Sequence, residues 1–198
     1  MRRLLILCTA AAILLLLLAA QALPHDYWLE PERFFLPAGG GRVRVRMHVG
    51  EHLKSEAARP LQKARTADFR MFSSAGAEDL LSPAREGQMP VAEVTLARDG
   101  NYLFVMERKA TEIKLDAEKF RAYLVEEGLE PIIAARERAG ESGREGRERY
   151  SRYLKSLVQV GGRHDATYGR KVGHRLEITP LVNPYALRPG ASLPGLVE

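Results

Sequence analysis

The side chains of this chain that could do chemistry are its histidines and the carboxylates beside them. Imidazole and carboxylate groups are ligands for Ni, Co, Cu and Zn. His25 stands next to Asp26, and His48 is followed four positions later by His52. These residues form two candidate divalent-cation sites, one at His25 and Asp26 near the start of the exported chain and one at His48 and His52. In the alternative interpretation, His48 and His52 are ordinary surface histidines near Arg46, whose positive charge repels a cation.

Other catalytic or metal chemistry has little basis in the sequence. His164 and His174 lie among arginines and lysines, where a cation is disfavoured. The only cysteine, Cys8, lies in the apolar stretch at the start of the chain, so an exported product would have no thiol and no disulfide. No Gly-x-Ser-x-Gly motif or phosphate-binding loop is present. We therefore predict a protein that is not an enzyme.

A basic, aromatic segment is the second candidate site. Tyr150, Tyr153, Leu154 and Leu157 recur at helical spacing, which predicts a helix from 145 to about 154, and Arg149 and Arg152 alternate with its tyrosines. Its exposed face could contact a metal-transport protein, another envelope protein or an anionic surface. The alternative is a solvated helix face whose tyrosines pack on the sheet. Near the start of the chain, Trp28 is expected to anchor the first strand, or to serve as a ligand platform.

The first 22 residues have the pattern of a cleaved signal peptide. Arg2 and Arg3 precede an apolar run over residues 4–20, and Ala20-Gln21-Ala22 matches a signal peptidase site. An uncleaved anchor is the alternative, although 17 apolar residues are short for a membrane span. We expect a periplasmic protein with no stable membrane span after cleavage. Export also removes nucleic acid as a partner, despite 30 Lys and Arg against 25 Asp and Glu.

The elements that must position these residues begin as strands. Residues 42–49 alternate arginine or histidine with Val or Met, which predicts a strand with one buried face. Further strands are predicted at 68–73, 91–97 and 101–107. The Asp-Gly step between the last two is typical of a hairpin. We expect these strands to form one antiparallel sheet.

The hydrophobic period changes after residue 115. Asp116 can cap a helix over 117–127, and Pro131 suits the first turn of a second helix over 131–139. Strands are predicted at 156–160 and 174–181. The domain is therefore expected to cover residues 23–180, with a helical insertion at about 116–155.

Five stretches of the sequence resemble a bacterial periplasmic family of domains of unknown function that carries the label NikM-like, or nickel-uptake-associated. They occur in family order and are HDYWLEP at 25–31, VGE at 49–51, FRAYLVEEGLE at 120–130, GRERYSRYLKSLVQV at 146–160 and LEITPLVNPYALRPG at 176–190. The resemblance implies a β-rich domain with a helical insertion, followed by a second immunoglobulin-like domain. Residues 181–198 are then a truncated lead-in to that second domain, most of which this chain lacks.

These observations predict a mainly β (α+β) protein, an antiparallel immunoglobulin-like β-sandwich with a helical insertion. The resemblance implies an exported, non-enzymatic protein associated with nickel or cobalt uptake that binds a divalent cation. The alternative is a metal-free interaction module of the envelope that uses the basic helix.

Overall fold

A computed structural model describes residues 26–198 of the chain. The predicted signal peptide over residues 1–22, and His25, lie outside the described residues. The strands are β1 Asp26–Pro31, β2 Phe35–Leu36, β3 Gly41–Glu51, β4 Lys54–Arg59, β5 Thr66–Ser73, β6 Gly76–Asp79, β7 Ala92–Leu96, β8 Gly100–Leu115, β9 Gly146–Val160, β10 Ile178–Pro180 and β11 Gly195–Val197. The α-helices are α1 Ala117–Glu126 and α2 Glu130–Arg138, and short 3-10 turns cover Lys63–Arg65, Ala166–Gly169 and Pro184–Ala186.

Strand β3 is the centre of the first sheet, called sheet A. Val45 of β3 pairs with Pro31 of β1 and with Ala92 of β7, so β1 and β7 lie on opposite sides of β3. Strand β4 pairs with the other half of β3, on the side that β7 occupies. The prediction for residues 42–49 is confirmed, because the Val and Met side chains of β3 are buried and the arginines are exposed.

The second sheet, called sheet B, has the strand order β2-β9-β8-β5-β6. Its longest ladder joins β8 and β9, which pair from Gly100 and Val160 to Leu115 and Gly146. The two sheets enclose one core, to which β3 contributes Met47 and sheet B contributes Phe69 and Phe104, among others. The predicted mainly β sandwich with a helical insertion is therefore confirmed.

The predicted hairpin between residues 91–97 and 101–107 is wrong. Strand β7 pairs with β3 in sheet A, whereas β8 lies in sheet B between β5 and β9. The chain bends at the Asp-Gly step, where Gly100 has a φ of +137°. Strand β4 pairs with only one half of an edge of β3, and β7 pairs with the other half of that edge. The chain therefore crosses from one sheet to the other at this turn, and the strands of the first half do not form a single sheet.

The helices form a small unit between β8 and β9. Asp116 caps α1, as predicted, by accepting a hydrogen bond from the Lys119 N–H at 2.9 Å. Phe120, Tyr123 and Leu124 are the buried residues of this unit. The Phe120 ring lies directly over Gly146, where an added Cβ would come within 2.0 Å of the ring. Neither helix of the described chain combines the length and apolar character that crossing a membrane requires.

The third predicted helix, from 145 to about 154, is wrong because this segment belongs to β9. Its tyrosines and leucines do recur at helical spacing, and this pattern suggested the helix. The sixteen residues of β8, however, offer a long hydrogen-bonding edge, and pairing along it satisfies the backbone groups of this segment that face β8. The helical insertion is therefore confined to α1 and α2. The predicted strand over 174–181 is reduced to β10.

The chain after β9 folds back over the outer face of sheet B and is held there by buried amides. Gln159 is fully buried and accepts a hydrogen bond from Asn101 at 2.7 Å. Its own NH2 group donates to the carbonyl of Arg163 at 2.8 Å. Asn183 donates to the Asn101 side-chain oxygen at 2.9 Å. Residues 161–185 are thus fixed to β8 and β9 through buried side-chain amides.

We expect Gln159→Leu to lower the free energy of unfolding by at least about 1–3 kcal/mol, because it leaves buried carbonyl and amide groups without partners. Urea denaturation measures the change. Thr95→Val, at an exposed position of β7, is the control and should stay within about 0.5 kcal/mol of the wild type. Equal stability of Gln159→Leu and the wild type would show that the amides do not hold this segment.

Candidate functional site

The candidate site is a cleft of about 490 Å³ between the outer face of β9 and the segment over residues 168–184. Most of its lining is apolar or aromatic. The lining residues are Tyr27, Trp28, Leu103, Ser151, Tyr153, Leu154, Lys155, Ser156, Leu157, Tyr168, His174, Leu176, Glu177, Ile178, Pro180 and Pro184. A volume of this size lies within the range of small-molecule sites.

Strand β9 forms the floor of the cleft. Because neighbouring side chains of a strand point to opposite faces, Leu154 and Val158 enter the core between the sheets. Tyr153, Lys155 and Leu157 point the other way, into the cleft. The same strand therefore supplies both the sandwich core and the ligand-facing surface.

Trp28 stands at the edge of the cleft beside β9. In β1, Tyr27 packs against the core, whereas Trp28 faces away from it and lines the cleft. The indole stacks on the His48 ring, with centroids 5.6 Å apart, and its N–H donates to Glu30 at 2.9 Å. The chain's only tryptophan is thus oriented by two neighbours at the cleft wall.

The roof of the cleft, residues 176–179, buries polar side chains and exposes apolar ones. Glu177 and Thr179 are each 4% exposed, whereas Leu176 and Ile178 are 59% and 65% exposed. Leu176 and Ile178 both line the cleft. The alternation of this segment therefore buries its polar side chains and leaves its apolar side chains uncovered at the cleft.

An ion pair joins the roof to the floor. The Lys155 ammonium lies 2.8 Å from the Glu177 carboxylate, and the side chains are only 14% and 4% exposed. Burial raises the pKa of Glu177, but the hydrogen bonds from Lys155 and from the Val172 and Gly173 N–H groups outweigh it and hold the pKa below its usual value. Glu177 is therefore ionised at neutral pH, and its charge is fully compensated by the protein.

His174 projects into the cleft with both ring nitrogens unoccupied. The ring packs on Tyr153 with centroids 5.0 Å apart, and neither nitrogen is exposed or hydrogen-bonded within the described residues. Burial lowers the pKa of His174, and the positive charge of Lys155 lowers it further. The effect is opposed, but not cancelled, by the negative charges of Glu177, Glu107 and Asp68. The imidazole is therefore neutral at neutral pH, and its one donor and one acceptor have no partner in the described part of the chain.

The predicted interaction residues lie on two faces of β9 and not on one helix face. Tyr150 and Arg152 lie on the side of Tyr27, and the Arg152 guanidinium is 4.4 Å from the centroids of both rings. Arg149 and Tyr153 lie on the other side, at the groove that continues the cleft. The basic helix that the sequence predicted is therefore wrong, and a contact between these four residues and a partner stays a prediction.

The predicted metal ligands are dispersed. Asp26 begins β1 opposite Gly50. His48 Nδ1 lies 2.6 Å from the Ser55 hydroxyl, and its Nε2 faces Glu30 at 3.8 Å. His52 lies exposed in the turn between β3 and β4, with a φ of +51°. Over residues 26–198, no three His, Cys, Asp or Glu side chains are close enough together to hold an ion.

Sequence reasoning did not identify Lys155, His174 and Glu177 as residues of one site. One signal was present, since Glu177 stands between Leu176 and Ile178 in a segment predicted to be a strand. An acid between two apolar residues of a strand is either exposed or buried. If it is buried, it needs a cationic partner from elsewhere in the chain. Nothing in the local sequence shows that Lys155 is that cation.

The fold and the cleft define a two-sheet β-sandwich with a helical insertion and a surface site roofed by its C-terminal segment. The chain belongs to the family described as Domain of unknown function (DUF4198), which it matches over residues 22–197. This family description contains no link to NikM or to nickel uptake, so that part of the resemblance stays a prediction. No curated protein and no solved structure matches the chain.

We expect the stability of the protein to fall as the pH drops from about 7 to about 5.5, and to fall less in His174→Gln. The folded-state pKa of His174 lies below the unfolded value of 6.5, so the unfolded chain binds the proton first. Stability from the neutral ring is therefore complete above the unfolded pKa and is lost on acidification.

Urea denaturation at several pH values tests this expectation. His52→Asn is the control, because it removes an exposed imidazole and Asn tolerates the positive φ of that position. The same pH dependence in His174→Gln and in the wild type would contradict the role given to burial of His174.

Proposed function

We propose that this protein is an exported, non-enzymatic binding protein of the bacterial envelope that holds a small, largely apolar molecule in the cleft. The observation behind the proposal is the inverted burial of the roof, where Leu176 and Ile178 stay exposed and Glu177 is buried. The pattern of residues 1–22 supports export.

An apolar ligand would cover the surface that the fold leaves open. Each Å² of apolar surface removed from water contributes about 25 cal/mol, so covering Leu176 and Ile178 favours binding. Trp28, Tyr153 and Leu157 offer apolar surface on the other side of the same cleft. Exposed apolar surface concentrated at a concave site is typical of ligand binding.

The polar groups of the cleft support binding in preference to catalysis. A catalytic histidine is normally hydrogen-bonded to a nucleophile or to an orienting group. The ring nitrogens of His174 have no such partner within the described residues. Lys155 and Glu177 neutralise each other, and Lys155 also donates to the Arg170 and Ile178 carbonyls. Their donors and acceptors are thus used to hold the roof.

The cleft can be tested with 1-decanol as an apolar probe. We expect decanol to change the fluorescence of Trp28, which is the chain's only tryptophan and lines the cleft, and to raise the melting temperature. Ser151→Phe should abolish both effects, because it places a ring in the cleft.

The matched control is Ser73→Phe, at the end of β5 and outside the cleft lining, which should retain both effects. Absence of decanol binding in the wild type, or equal binding in Ser151→Phe, would refute the cleft as a ligand site.

A second candidate function is capture of Ni, Co, Cu or Zn at the start of the exported chain, as the metal-uptake resemblance implies. One observation favours it: burial raises the pKa of Glu127, and the nearby charges of Glu126, Asp26 and Glu148 raise it further. Glu148 also keeps one buried carboxylate oxygen without a partner in the described chain. Carboxylates that repel one another beside the attachment point of His25 would be stabilised by a cation.

Titration with Ni²⁺, Co²⁺, Cu²⁺ and Zn²⁺ in turn tests the metal proposal through the melting temperature. We expect stabilisation that His25→Ala and Asp26→Asn remove, since these two residues would supply ligands. His164→Ala, which changes a histidine elsewhere in the chain, should leave the response intact. If none of the four metals shifts the melting temperature, the metal proposal fails, and the cleft proposal is unaffected.

A further inference from the structure

The cleft continues into a second, wider groove of about 730 Å³ along the outer face of sheet B. The two cavities share Ser151, Tyr153 and Leu176, so a molecule can extend from one into the other. The side chains that line only the second groove are mostly charged, whereas those of the cleft are mostly apolar. The combined site therefore has an apolar end and a charged end.

Cations predominate at the charged end. Lys109, Arg149 and Arg175 line the groove, together with a single acid, Glu107. None of the three cations forms an ion pair with another described residue. Glu112 stands opposite Arg149 in the β8–β9 ladder, but it does not line the groove and is not within ion-pair distance.

The apolar end cannot supply a compensating charge. Glu177 and Lys155 form a closed pair at 2.8 Å, and burial keeps His174 neutral. The positive charge of the groove therefore faces whatever occupies it, and a complementary ligand would place an anionic group there.

We propose that the natural ligand is an amphipathic anion, with an apolar chain in the cleft and a carboxylate or phosphate group at Lys109, Arg149 and Arg175. This inference rests on the proposed binding function and adds the ligand's charge and orientation to it. Two guanidinium groups suit planar recognition of such a head group.

Four probes with the same ten-carbon chain test the proposal: decanoate, decyl phosphate, decanol and decyltrimethylammonium. Affinities are measured by Trp28 fluorescence below micelle-forming concentrations. We expect one or both anions to bind about tenfold more tightly than decanol, which is the effect that three exposed ion pairs allow. Decyltrimethylammonium should bind most weakly, and added salt should reduce the advantage of the anions.

The double variant Arg149→Glu with Arg175→Glu should lose the preference for anions and still bind decanol. Arg149→Gln with Arg175→Gln serves the same purpose if charge reversal disturbs folding. Arg85→Glu, at an exposed arginine in the loop between β6 and β7, is the control and should keep the preference.

The possible results separate the two proposals. If decanol and the anions bind equally to the wild type, or if the cationic probe binds most tightly, the inference about the ligand is overturned while the cleft remains a binding site. If the double variant keeps its preference for anions, the placement of the head group is overturned. If no probe binds, both proposals fall.

Discussion

The ion pair between Lys155 and Glu177 is the constraint on which the site depends. Two charges removed almost entirely from water are costly when apart, so the segment that carries Glu177 must stay over β9. The N–H groups of Val172 and Gly173 bond to the same carboxylate and fix the loop that precedes it. Burying Glu177 forces its neighbours outward, because side chains alternate along an extended segment. The exposed apolar roof is therefore a direct result of the buried charge.

Most of the sandwich could be predicted from the sequence, because its signals are local. The alternation in β3 and the cap at Asp116 each describe an element that forms from adjacent residues. Strand β9 was mistaken for a helix, because its pairing with β8 decides its conformation and that partner is distant in sequence. The same limitation applies to β7, which turns away from β8 to fill the open side of β3. Local patterns thus identified the fold class, but not which strands pair.

The site was harder to predict than the fold. Its parts come from β1, β9 and the segment after β9, and their proximity follows only from the tertiary structure. Trp28, Tyr153 and Arg149 were recognised as candidates, but as members of separate features. Lys155 and His174 were not recognised, because a single lysine or histidine among other basic residues has no distinctive pattern. The histidines that looked most suited to metal binding do not converge in the described part of the chain.

The two-sided use of β9 limits how this part of the chain can change its length. Removing or adding one residue within β9 would exchange its faces, bringing Lys155 into the interior and Leu154 to the surface. The loop over residues 161–173 is under no such restriction, apart from the few groups that bond to buried amides and to Glu177. Homologues should therefore vary in length after β9 and keep its residue count, so that ligand preference diverges through the loop while the sandwich is preserved.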